Sequence, residues 1–269
     1  MALPLMQDLK ELKTQYKNSG ALEIRRSFHK KYSTNKTEYD QWILQQIPFS
    51  KDQRILDIGC GNGKIWRKGI SIIQDAEKLV LADLSQGMLD EAKASYREFK
   101  NIEFQLADIC DLPFENESFD IILADSMLYH VADLDKALAE SYRVLKPNGI
   151  LAATTFSENG LNAYINDAVF EMGLTDAKTE NKISFSLENG ADSLKKYFSD
   201  LSKLIYDDLL RVTNIWDLID YIYSMTSMSH LSASDKPKML DYFEKQKNAN
   251  GEIEIPKMYG MYLAVKRGK

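Results

Sequence analysis

The chain has few cysteines, few histidines and no long apolar run. Its two cysteines, Cys60 and Cys110, cannot by themselves form a disulfide framework or a metal site. The three histidines, at positions 29, 130 and 230, form no Cys/His cluster that could bind zinc. No segment approaches the roughly 18 apolar residues of a membrane span, and the N-terminus lacks the apolar core of a secretory signal. We therefore expect a metal-free protein of the reducing cytoplasm, whose thiols serve as packing residues.

Two common enzyme signatures are absent as well, and the chain has no net positive charge. There is no G-x-x-x-x-G-K-[ST] phosphate loop and no Gly-x-Ser-x-Gly nucleophile elbow. The net charge of −6 argues against non-specific nucleic-acid binding. The stretch from Lys10 to Lys36 departs from this balance, with eight Lys or Arg residues against two acids. It is either a solvated helix face or a basic flap over an anionic substrate or cofactor carboxylate.

A glycine-rich turn follows the first apolar strand candidate in the centre of the chain. Gly59, Gly61 and Gly63 occupy alternate positions, and a second apolar segment ends at Asp83. Glycine has no Cβ, so a ligand can approach the backbone of such a turn closely. An acid about twenty residues further on can accept hydrogen bonds from both hydroxyls of a ribose. The pattern therefore predicts a cofactor that contains adenosine.

Details of the turn discriminate between such cofactors. The dinucleotide fingerprint G-x-G-x-x-G would require a third glycine where this chain has Lys64. Asp57 stands two residues before the first glycine, and its carboxylate would repel a pyrophosphate. A carboxylate suits a ligand with an ammonium group, such as the methionine end of S-adenosylmethionine. The alternative is an ordinary tight turn between a strand and a helix.

The centre of the chain alternates between apolar strands and amphipathic helices. Strands are predicted over Arg54–Ile58, Lys78–Ala82, Ile102–Leu106, Phe119–Ala124 and Ile150–Thr155. Helices are predicted over Ser85–Lys100 and Asp133–Leu145, with the second ending in a turn at 146–149 that leads to the next strand. This alternation indicates a parallel, doubly wound α/β sheet.

The alternation changes after Thr155. Helices are predicted over Gly160–Gly173, Ala191–Asp200 and Asn214–Ser229, and strands over Leu204–Val212 and Met261–Val265. We expect a helical N-terminal flap over residues 1–48 and a cofactor-binding domain over 49–269. Within that domain, cap or specificity insertions are expected within 157–203 and 213–258.

Five segments have the order and spacing of a known family. They are LDIGCGNG (56–63), VLADLS (80–85), QLADICDLPFENESFD (105–120), IILADSMLYHV (121–131) and RVLKPNG (143–149). Through them the chain resembles the class I S-adenosylmethionine-dependent methyltransferases of the small-molecule type. HKKYSTNK (29–36) is similar to the lead-in of a bacterial subgroup with domains of type 11 or 25. The resemblance implies a Rossmann-like, mixed seven-stranded sheet in the order 3-2-1-4-5-7-6, with an inserted cap.

The resemblance also implies roles for single residues at the cofactor. The three turn glycines would let the backbone pass under the methionine moiety, and Asp57 would compensate the ammonium group. Asp83 would bind the ribose hydroxyls, because an ionised carboxylate only accepts hydrogen bonds. Leu84 would pack against the adenine face. The product of the reaction would be S-adenosylhomocysteine.

Further cofactor contacts are implied at the ends of the next strands. Asp108 would accept a hydrogen bond from the adenine amine, and the Ile109 amide would read the ring edge. The Ala124 carbonyl would approach the methionine ammonium group. Tyr32, in the basic N-terminal stretch, could close over the cofactor or mark a surface helix end. Asn62 departs from the Thr or Ser that is common in the family, but the site uses mainly backbone there.

The acceptor site is expected after the fourth strand. His130 is the catalytic candidate, because histidine suits proton transfer near neutral pH, although it could equally order the loop or shape the pocket. Tyr129 and Phe156 are expected to line the substrate pocket, together with Tyr223 and Met228. Core packing is the alternative for Tyr129 and Met228.

The predicted activity is methyl transfer to a small molecule by in-line displacement at the sulfonium methyl. One alternative is an RNA or protein methyltransferase that uses the basic N-terminal stretch, although the N/D-P-P-Y signature of amine methylation is absent. Another is a non-catalytic module that binds the cofactor. We expect neither a membrane nor a nucleic-acid partner, and the sequence does not indicate an oligomeric state.

Overall fold

A computed structural model describes residues 20–178 and 181–268 of the chain. It divides into two compact units. The first, here called the sheet unit, contains Tyr39–Thr155, Ile183–Tyr206 and the residues from Gly260 onward. The second, here called the small unit, contains the described residues up to Glu38, together with Phe156–Lys182 and Asp207–Tyr259. The boundaries of these two units differ from the boundaries of the insertions that the sequence predicts. The predicted domain boundaries remain a prediction.

The strands of the structure form one large and one small sheet. In chain order they are β1 (Arg54–Ile58), β2 (Lys78–Asp83), β3 (Ile102–Leu106), β4 (Phe119–Ala124), β5 (Leu145–Phe156), β6 (Asp200–Tyr206), β7 (Leu209–Val212), β8 (Ile253–Pro256) and β9 (Tyr259–Val265). The large sheet has seven strands in the order β3-β2-β1-β4-β5-β9-β6, and β7 and β8 form the other. The last strand of the chain thus lies between β5 and β6, which confirms the predicted Rossmann-like fold.

Helices connect these strands. They are α1 (Gly20–Tyr32), α2 (Tyr39–Gln46), α3 (Ile70–Asp75), α4 (Gln86–Tyr96), α5 (Leu134–Val144), α6 (Leu161–Glu171), α7 (Gly190–Leu194), α8 (Ile215–Tyr223) and α9 (Lys236–Lys245). Ser85 and Asp133 cap α4 and α5, and their side chains accept hydrogen bonds from the backbone N–H groups of Met88 and Lys136. None of the helices in the described part of the chain is long and apolar enough to cross a membrane.

The large sheet buries side chains on both faces. β1 pairs in parallel with β2 and β4, so that Ile55 lies beside Ile121, and Leu56 beside Ile122. Successive side chains of a strand point to opposite faces. Ile55 and Ile121 accordingly belong to one apolar cluster, while Leu56 and Ile122 belong to another. Apolar clusters on both faces explain why these strands are nearly continuous apolar runs in the sequence.

Two predicted boundaries in the sheet unit are wrong. β5 begins at Leu145 and runs through the predicted turn at 146–149. A register shift against β4 and a positive φ of 63° at Asn148 accommodate that segment, because backbone hydrogen bonds with Lys266 hold it in the sheet. The helix predicted over Ala191–Asp200 ends at Leu194, and Asp200 begins β6.

Two further boundaries differ after residue 200. The strand predicted over Leu204–Val212 is interrupted at Asp207 and Asp208, so that β6 and β7 belong to different sheets. The helix predicted over Asn214–Ser229 ends at Tyr223, and a 3-10 turn follows over Thr226–Met228. Periodicity alone misses both breaks, because apolar residues continue on either side of them.

The small unit has an apolar core of its own. Its two strands, β7 and β8, form an antiparallel two-stranded sheet with Leu210 opposite Ile255. These two side chains belong to one buried cluster with Phe28 of α1, Leu218 of α8 and Phe243 of α9. The strand β8 and the helix α9 were not predicted from the sequence.

A buried ion pair stabilises the small unit. Lys257 Nζ lies 2.9 Å from Asp208 Oδ2, and the two side chains are 4% and 0% exposed. Asp208 also accepts hydrogen bonds from the Ser33 hydroxyl and from the backbone N–H groups of Thr34 and Asn35. Burial acts to raise the pKa of Asp208, but the Ser33 hydrogen bond and Lys257 outweigh it and lower the pKa. The Asp208 carboxylate therefore connects the residues that follow α1 with Lys257, the residue that follows β8.

We expect Lys257→Met to lower the free energy of unfolding by about 3–5 kcal/mol, because it leaves the Asp208 carboxylate buried without its cation. Lys245→Met is the matched control, since Lys245 pairs with Asp241 at the surface with side chains 71% and 68% exposed. Such a pair contributes about 0–1 kcal/mol. Urea unfolding of both variants measures the difference, and equal losses would contradict the assignment.

Candidate functional site

The turn after β1 has the conformation that its glycines predict. Gly59, Gly61 and Gly63 have φ values of 72°, 55° and 70°, a region that residues with a Cβ rarely adopt. The N–H groups of Gly59 and Cys60 both donate to the Ala82 carbonyl, at 2.8 and 3.0 Å. A Cβ built on Gly61 would meet no described atom within 4 Å beyond its chain neighbours. The turn is thus fixed to β2 and leaves open space beside Gly61.

Asp57 is a buried acid at the carboxyl end of β1. Its side chain is 1% exposed, and Oδ2 accepts a hydrogen bond of 2.7 Å from Trp66 Nε1. The other oxygen, Oδ1, is buried without a hydrogen-bond partner among the described residues. The pKa of Asp57 is raised to about 8. Burial is the main cause, the Trp66 hydrogen bond opposes it, and the nearby acids Asp125 and Asp83 contribute to the rise. A buried acceptor of this kind is stabilised by a cation or another donor.

Asp83, the last residue of β2, is bound to the same turn. Its Oδ2 accepts from the Gly61 N–H and its Oδ1 from the Ser85 N–H, both at 2.8 Å. Burial raises the pKa of Asp83, and the backbone N–H groups partly offset that rise. Each oxygen keeps further acceptor capacity, because a carboxylate offers about four lone-pair sites. Leu84, the next residue, is apolar and 39% exposed, and its contact with the adenine remains a prediction.

The remaining predicted cofactor residues follow β3 and β4. Asp108 Oδ1 accepts from the Cys110 N–H at 2.8 Å, which holds its carboxylate near the chain. The Ile109 side chain is 3% exposed and belongs to the core, so the backbone is the part of this residue that suits a ligand contact. Ala124, the last residue of β4, is fully buried opposite Ala153. Parallel pairing brings the ends of these strands to one edge of the sheet.

A polar network follows β4 and was not predicted from the sequence. The Thr154 hydroxyl donates to Asp125 Oδ1 at 2.5 Å and accepts from the Ser126 N–H at 2.7 Å. Ser126 has a φ of 55°, which is uncommon for a residue other than glycine. Its backbone is held in this state by a side chain from the neighbouring strand. The sequence analysis predicted a strand end at 121–124, next to this network. No local sequence pattern identifies Thr154 as part of the network.

Tyr39 of α2 is a second residue that the sequence analysis missed. Its hydroxyl donates to the Gly260 carbonyl at 3.2 Å. Burial, and then the charge of Asp125, raise its pKa well above the ordinary value. A phenol with a raised pKa stays protonated and acts as a hydrogen-bond donor. Helix α2 carries no motif, so only the tertiary structure brings this phenol near Asp125.

The predicted catalytic residue lies directly after β4. Leu128–His130 form a 3-10 turn in which the His130 N–H donates to the Met127 carbonyl at 3.0 Å. The rings of Tyr129 and His130 lie 4.4 Å apart with an interplanar angle of 56°. The Tyr129 carbonyl accepts from the Ser184 hydroxyl at 3.1 Å. His130 and Tyr129 thus share the loop that follows Ala124.

Four other predicted site residues belong to the small unit, and each has its own set of neighbours there. Tyr32 is 4% exposed and donates to Asp217 Oδ2 at 2.5 Å, while Tyr223 donates to the Ser232 carbonyl. The Phe156 ring lies 6.3 Å from the Tyr259 ring. Met228 is 5% exposed and borders a cavity of about 410 Å³, which His230 also lines. The roles of these four residues remain predictions.

Comparison with known proteins identifies the class of the sheet unit. Residues 56–153 match the family model described as a methyltransferase domain. The segment includes the glycine turn, Asp57, Asp83, Asp108 and the loop after β4. In the part of the chain that is described, no group of three or more His, Cys, Asp or Glu residues could hold a metal ion. Residues 56–153 form a class I S-adenosylmethionine-dependent methyltransferase domain, as the sequence resemblance predicted.

Curated relatives specify the similarity further. The chain is 38% identical over 109 residues to the ubiquinone/menaquinone biosynthesis C-methyltransferase UbiE of Vibrio parahaemolyticus, which covers 39% of this chain and 42% of the relative. It is 37% identical over 125 residues to the UbiE protein of Rickettsia prowazekii, covering 44% and 50%. The chain therefore spans half the length of these curated relatives or less.

Solved structures show the same fold at low identity. The YcgJ protein of Bacillus subtilis is 19% identical with a TM-score of 0.59, over 86% of this chain and 99% of that chain. A phosphoethanolamine N-methyltransferase of Haemonchus contortus, solved with phosphomonomethylethanolamine and S-adenosylhomocysteine, is 20% identical with a TM-score of 0.57, over 99% and 61%. The [4+2]-cyclase SpnF is 16% identical with a TM-score of 0.58, over 100% and 99%.

The raised pKa of Asp57 predicts how stability depends on pH. A group with a folded pKa of about 8 and an ordinary pKa of 3.8 stabilises the fold fully below the ordinary value, and this stabilisation is lost as pH rises through 8. We expect the free energy of unfolding to fall in this range by up to about 1.4 kcal/mol per pH unit through this group. Asp57→Asn removes the dependence, whereas Asp90→Asn, at an exposed site, retains it. Urea unfolding at about pH 5, 6.5 and 8.5 measures both, and an unchanged slope in Asp57→Asn would contradict the assignment.

The turn glycines are expected to differ in their tolerance of a methyl group. In Gly63→Ala the new Cβ would lie 2.9 Å from the Tyr96 ring, so that overpacking of about 1–3 kcal/mol adds to a backbone cost of roughly 1–2 kcal/mol. Gly61→Ala carries the backbone cost alone and should retain more stability. Urea unfolding compares the two variants, and a larger loss in Gly61→Ala would contradict the described space beside this residue.

Proposed function

We propose that this chain transfers a methyl group from S-adenosylmethionine to a small-molecule acceptor, by in-line displacement at the sulfonium methyl. The observation that carries the proposal is Asp57 Oδ1, a buried acceptor without a donor among residues 20–178 and 181–268, beside a glycine turn with open space. The ammonium group of a methionine moiety supplies the missing cation, which would ionise Asp57 in spite of its raised pKa. A pyrophosphate would be repelled from the same place.

The other predicted cofactor contacts follow from the groups that remain available. Asp83 is proposed to accept from the ribose hydroxyls, and the exposed Leu84 side chain to pack on the adenine. Asp108 and the Ile109 N–H are proposed to bind the adenine edge, and the Ala124 carbonyl to accept from the ammonium group. Together with Asp57 of β1, these positions lie at or directly after the ends of four neighbouring strands. Open α/β sheets bind their ligands at this edge.

The sulfonium group supplies an activated methyl when the cofactor is bound, and the protein aligns the acceptor with it. Alignment can supply about 7–11 kcal/mol of the reduction in barrier. His130 is proposed either to accept a proton from the acceptor or to shape its pocket, since it lies in the loop after Ala124. Tyr129 is proposed to line this pocket, and the roles of Phe156, Tyr223 and Met228 remain predictions.

A small-molecule acceptor is favoured by the relatives. The UbiE proteins are named for ubiquinone and menaquinone biosynthesis, and the Haemonchus contortus enzyme was solved with phosphomonomethylethanolamine. The net charge of −6 disfavours a nucleic-acid substrate. We place this activity in the cytoplasm, because Cys60 and Cys110 are free thiols, as is usual in a reducing compartment.

Two alternatives rest on particular observations. The basic stretch from Lys10 to Lys36 would suit an RNA or protein substrate, although residues 10–19 lie outside the described part of the chain. The second alternative is a non-catalytic module that binds the cofactor. The fold does not decide against it, because the same fold occurs in SpnF, a protein named for a reaction other than methyl transfer.

Calorimetry with S-adenosylmethionine tests the cofactor assignment. We expect Asp83→Ala to weaken binding by about 1–3 kcal/mol, because two ribose hydroxyls lose their acceptor. Asp90→Ala, on the exposed face of α4, is the control and should bind as tightly as the wild type. Equal affinity in Asp83→Ala would contradict the ribose contact, and tighter binding of NAD than of S-adenosylmethionine would contradict the cofactor.

Incubation with a cell extract and methyl-labelled cofactor then identifies the acceptor class. Label in the small-molecule fraction supports the proposal, while label in RNA or protein supports the first alternative. Cofactor binding with no label in any fraction, under conditions in which a known methyltransferase is active, supports the second.

A further inference from the structure

A basic cluster in the small unit contains two buried nitrogen atoms, Arg25 Nη2 and His29 Nδ1, that have no hydrogen-bond partner among the described residues. It consists of Arg25 and His29 on α1, Tyr221 on α8, Lys257, and Tyr259 at the start of β9. His29 Nε2 lies 3.4 Å from the Tyr221 hydroxyl and 3.3 Å from the Tyr259 hydroxyl. The imidazole forms edge-on ring contacts with both tyrosines, at centroid distances of 5.5 and 5.6 Å. The cluster does not overlap with any of the cofactor contacts proposed above.

The hydrogen bonds of His29 determine where its proton lies. Burial, then the charge of Lys257, lower the pKa of His29 to about 3; Asp208 opposes this and Arg25 adds to it. The ring is therefore neutral at pH 7 and has one N–H. In the tautomer in which Nε2 accepts from a tyrosine hydroxyl, Nδ1 carries the hydrogen. Nδ1 is buried and has no partner among the described residues.

Arg25 contributes a second donor of this kind. Its Nε donates to the Ala21 carbonyl at 3.3 Å, whereas its Nη2 is buried without a partner in the described part of the chain. Arg25 and His29 are four residues apart on α1 and so lie on the same helix face. An unpaired buried donor costs free energy, and the cost is larger for a charged group.

Positive groups outnumber negative ones among the charges that act on the His29 pKa. Lys257 and Arg25 lower it and Asp208 raises it. Asp208 lies 2.9 Å from Lys257 and also accepts from the Ser33 hydroxyl and from two backbone N–H groups. A positive field of this kind attracts an anion.

We infer that Arg25 and His29 form a binding site for an anionic oxygen group of a small molecule, a carboxylate or a phosphate monoester. An anion of this kind only accepts hydrogen bonds, so it satisfies both the Arg25 Nη2 and the His29 Nδ1–H donors. It also compensates the excess positive charge. The inference goes beyond the proposed methyl transfer and uses no residue of the cofactor site.

Titration of the nitrogen-15-labelled histidine side chains tests the site directly. Sodium phosphate is added to the cofactor-free protein at constant ionic strength, and the His29 signal is assigned with His29→Gln. We expect a saturable shift at His29 Nδ1 in the wild type. Arg25→Gln should weaken phosphate binding about tenfold or more, while Arg26→Gln, the next residue on α1, should leave it unchanged. Parallel titrations with acetate and methyl phosphate distinguish a carboxylate site from a phosphate monoester site.

The stability of the free protein gives a second, independent measurement. Arg25→Met keeps the aliphatic stem and removes the unpaired buried cation, so we expect the Tm without added anion to stay the same or to rise. Phosphate should raise the Tm of the wild type and not that of Arg25→Met. A structural role for Arg25 would instead lower the Tm of the variant.

Three results would overturn the inference: no saturable shift at His29 with phosphate, acetate or methyl phosphate; equal binding in the wild type and Arg25→Gln; or a lower Tm in Arg25→Met. A water molecule in place of the anion predicts the first of these. Calorimetry with S-adenosylmethionine on the same variants separates this test from that of the proposed function, because cofactor affinity should be unchanged in all of them.

Discussion

The parallel pairing of β1 with β2 and β4 is the constraint on which the site depends. It brings three strand ends to one edge and places the acids Asp57, Asp83 and Asp125 near each other. Burial, and then the charges of Asp125 and Asp83, raise the pKa of Asp57 against the Trp66 hydrogen bond. A cationic group beside Asp57 would favour its ionised form. The pairing that builds the core thus also concentrates acids at this edge of the sheet.

Much of the sheet unit could be predicted from the sequence, because its signals are local. The first five strands, two of the three helices between them and the turn glycines each follow from a short pattern, and the order of the strands followed from the family resemblance. The acids Asp57, Asp83 and Asp108 were predicted as cofactor contacts because each belongs to a motif. The structure places them at or after strand ends on one edge of the sheet, and their contacts with the cofactor remain predictions.

Other features depend on residues far apart in the chain and could not be predicted. Thr154 bonds to Ser126 across neighbouring strands, and Tyr39 reaches Gly260 across 221 positions. The break between β6 and β7 occurs at Asp208. This acid pairs with Lys257, which is far away in the sequence. The predicted Tyr32 contact with the cofactor rested on sequence position alone, and in the structure this phenol donates to Asp217.

The Asp208 carboxylate also has a consequence for the order of folding. The Ser33 hydroxyl that it binds is 175 positions away in the chain, and the small unit combines three segments separated by parts of the sheet unit. Among the described elements, helix α1 is synthesised before β7 and α8, which contact it in the folded protein. Contacts of such long range form slowly, because the loop entropy is lost before the contacts form. The Phe28 side chain, which is buried in the folded protein, therefore lacks these neighbours until α8 has been synthesised.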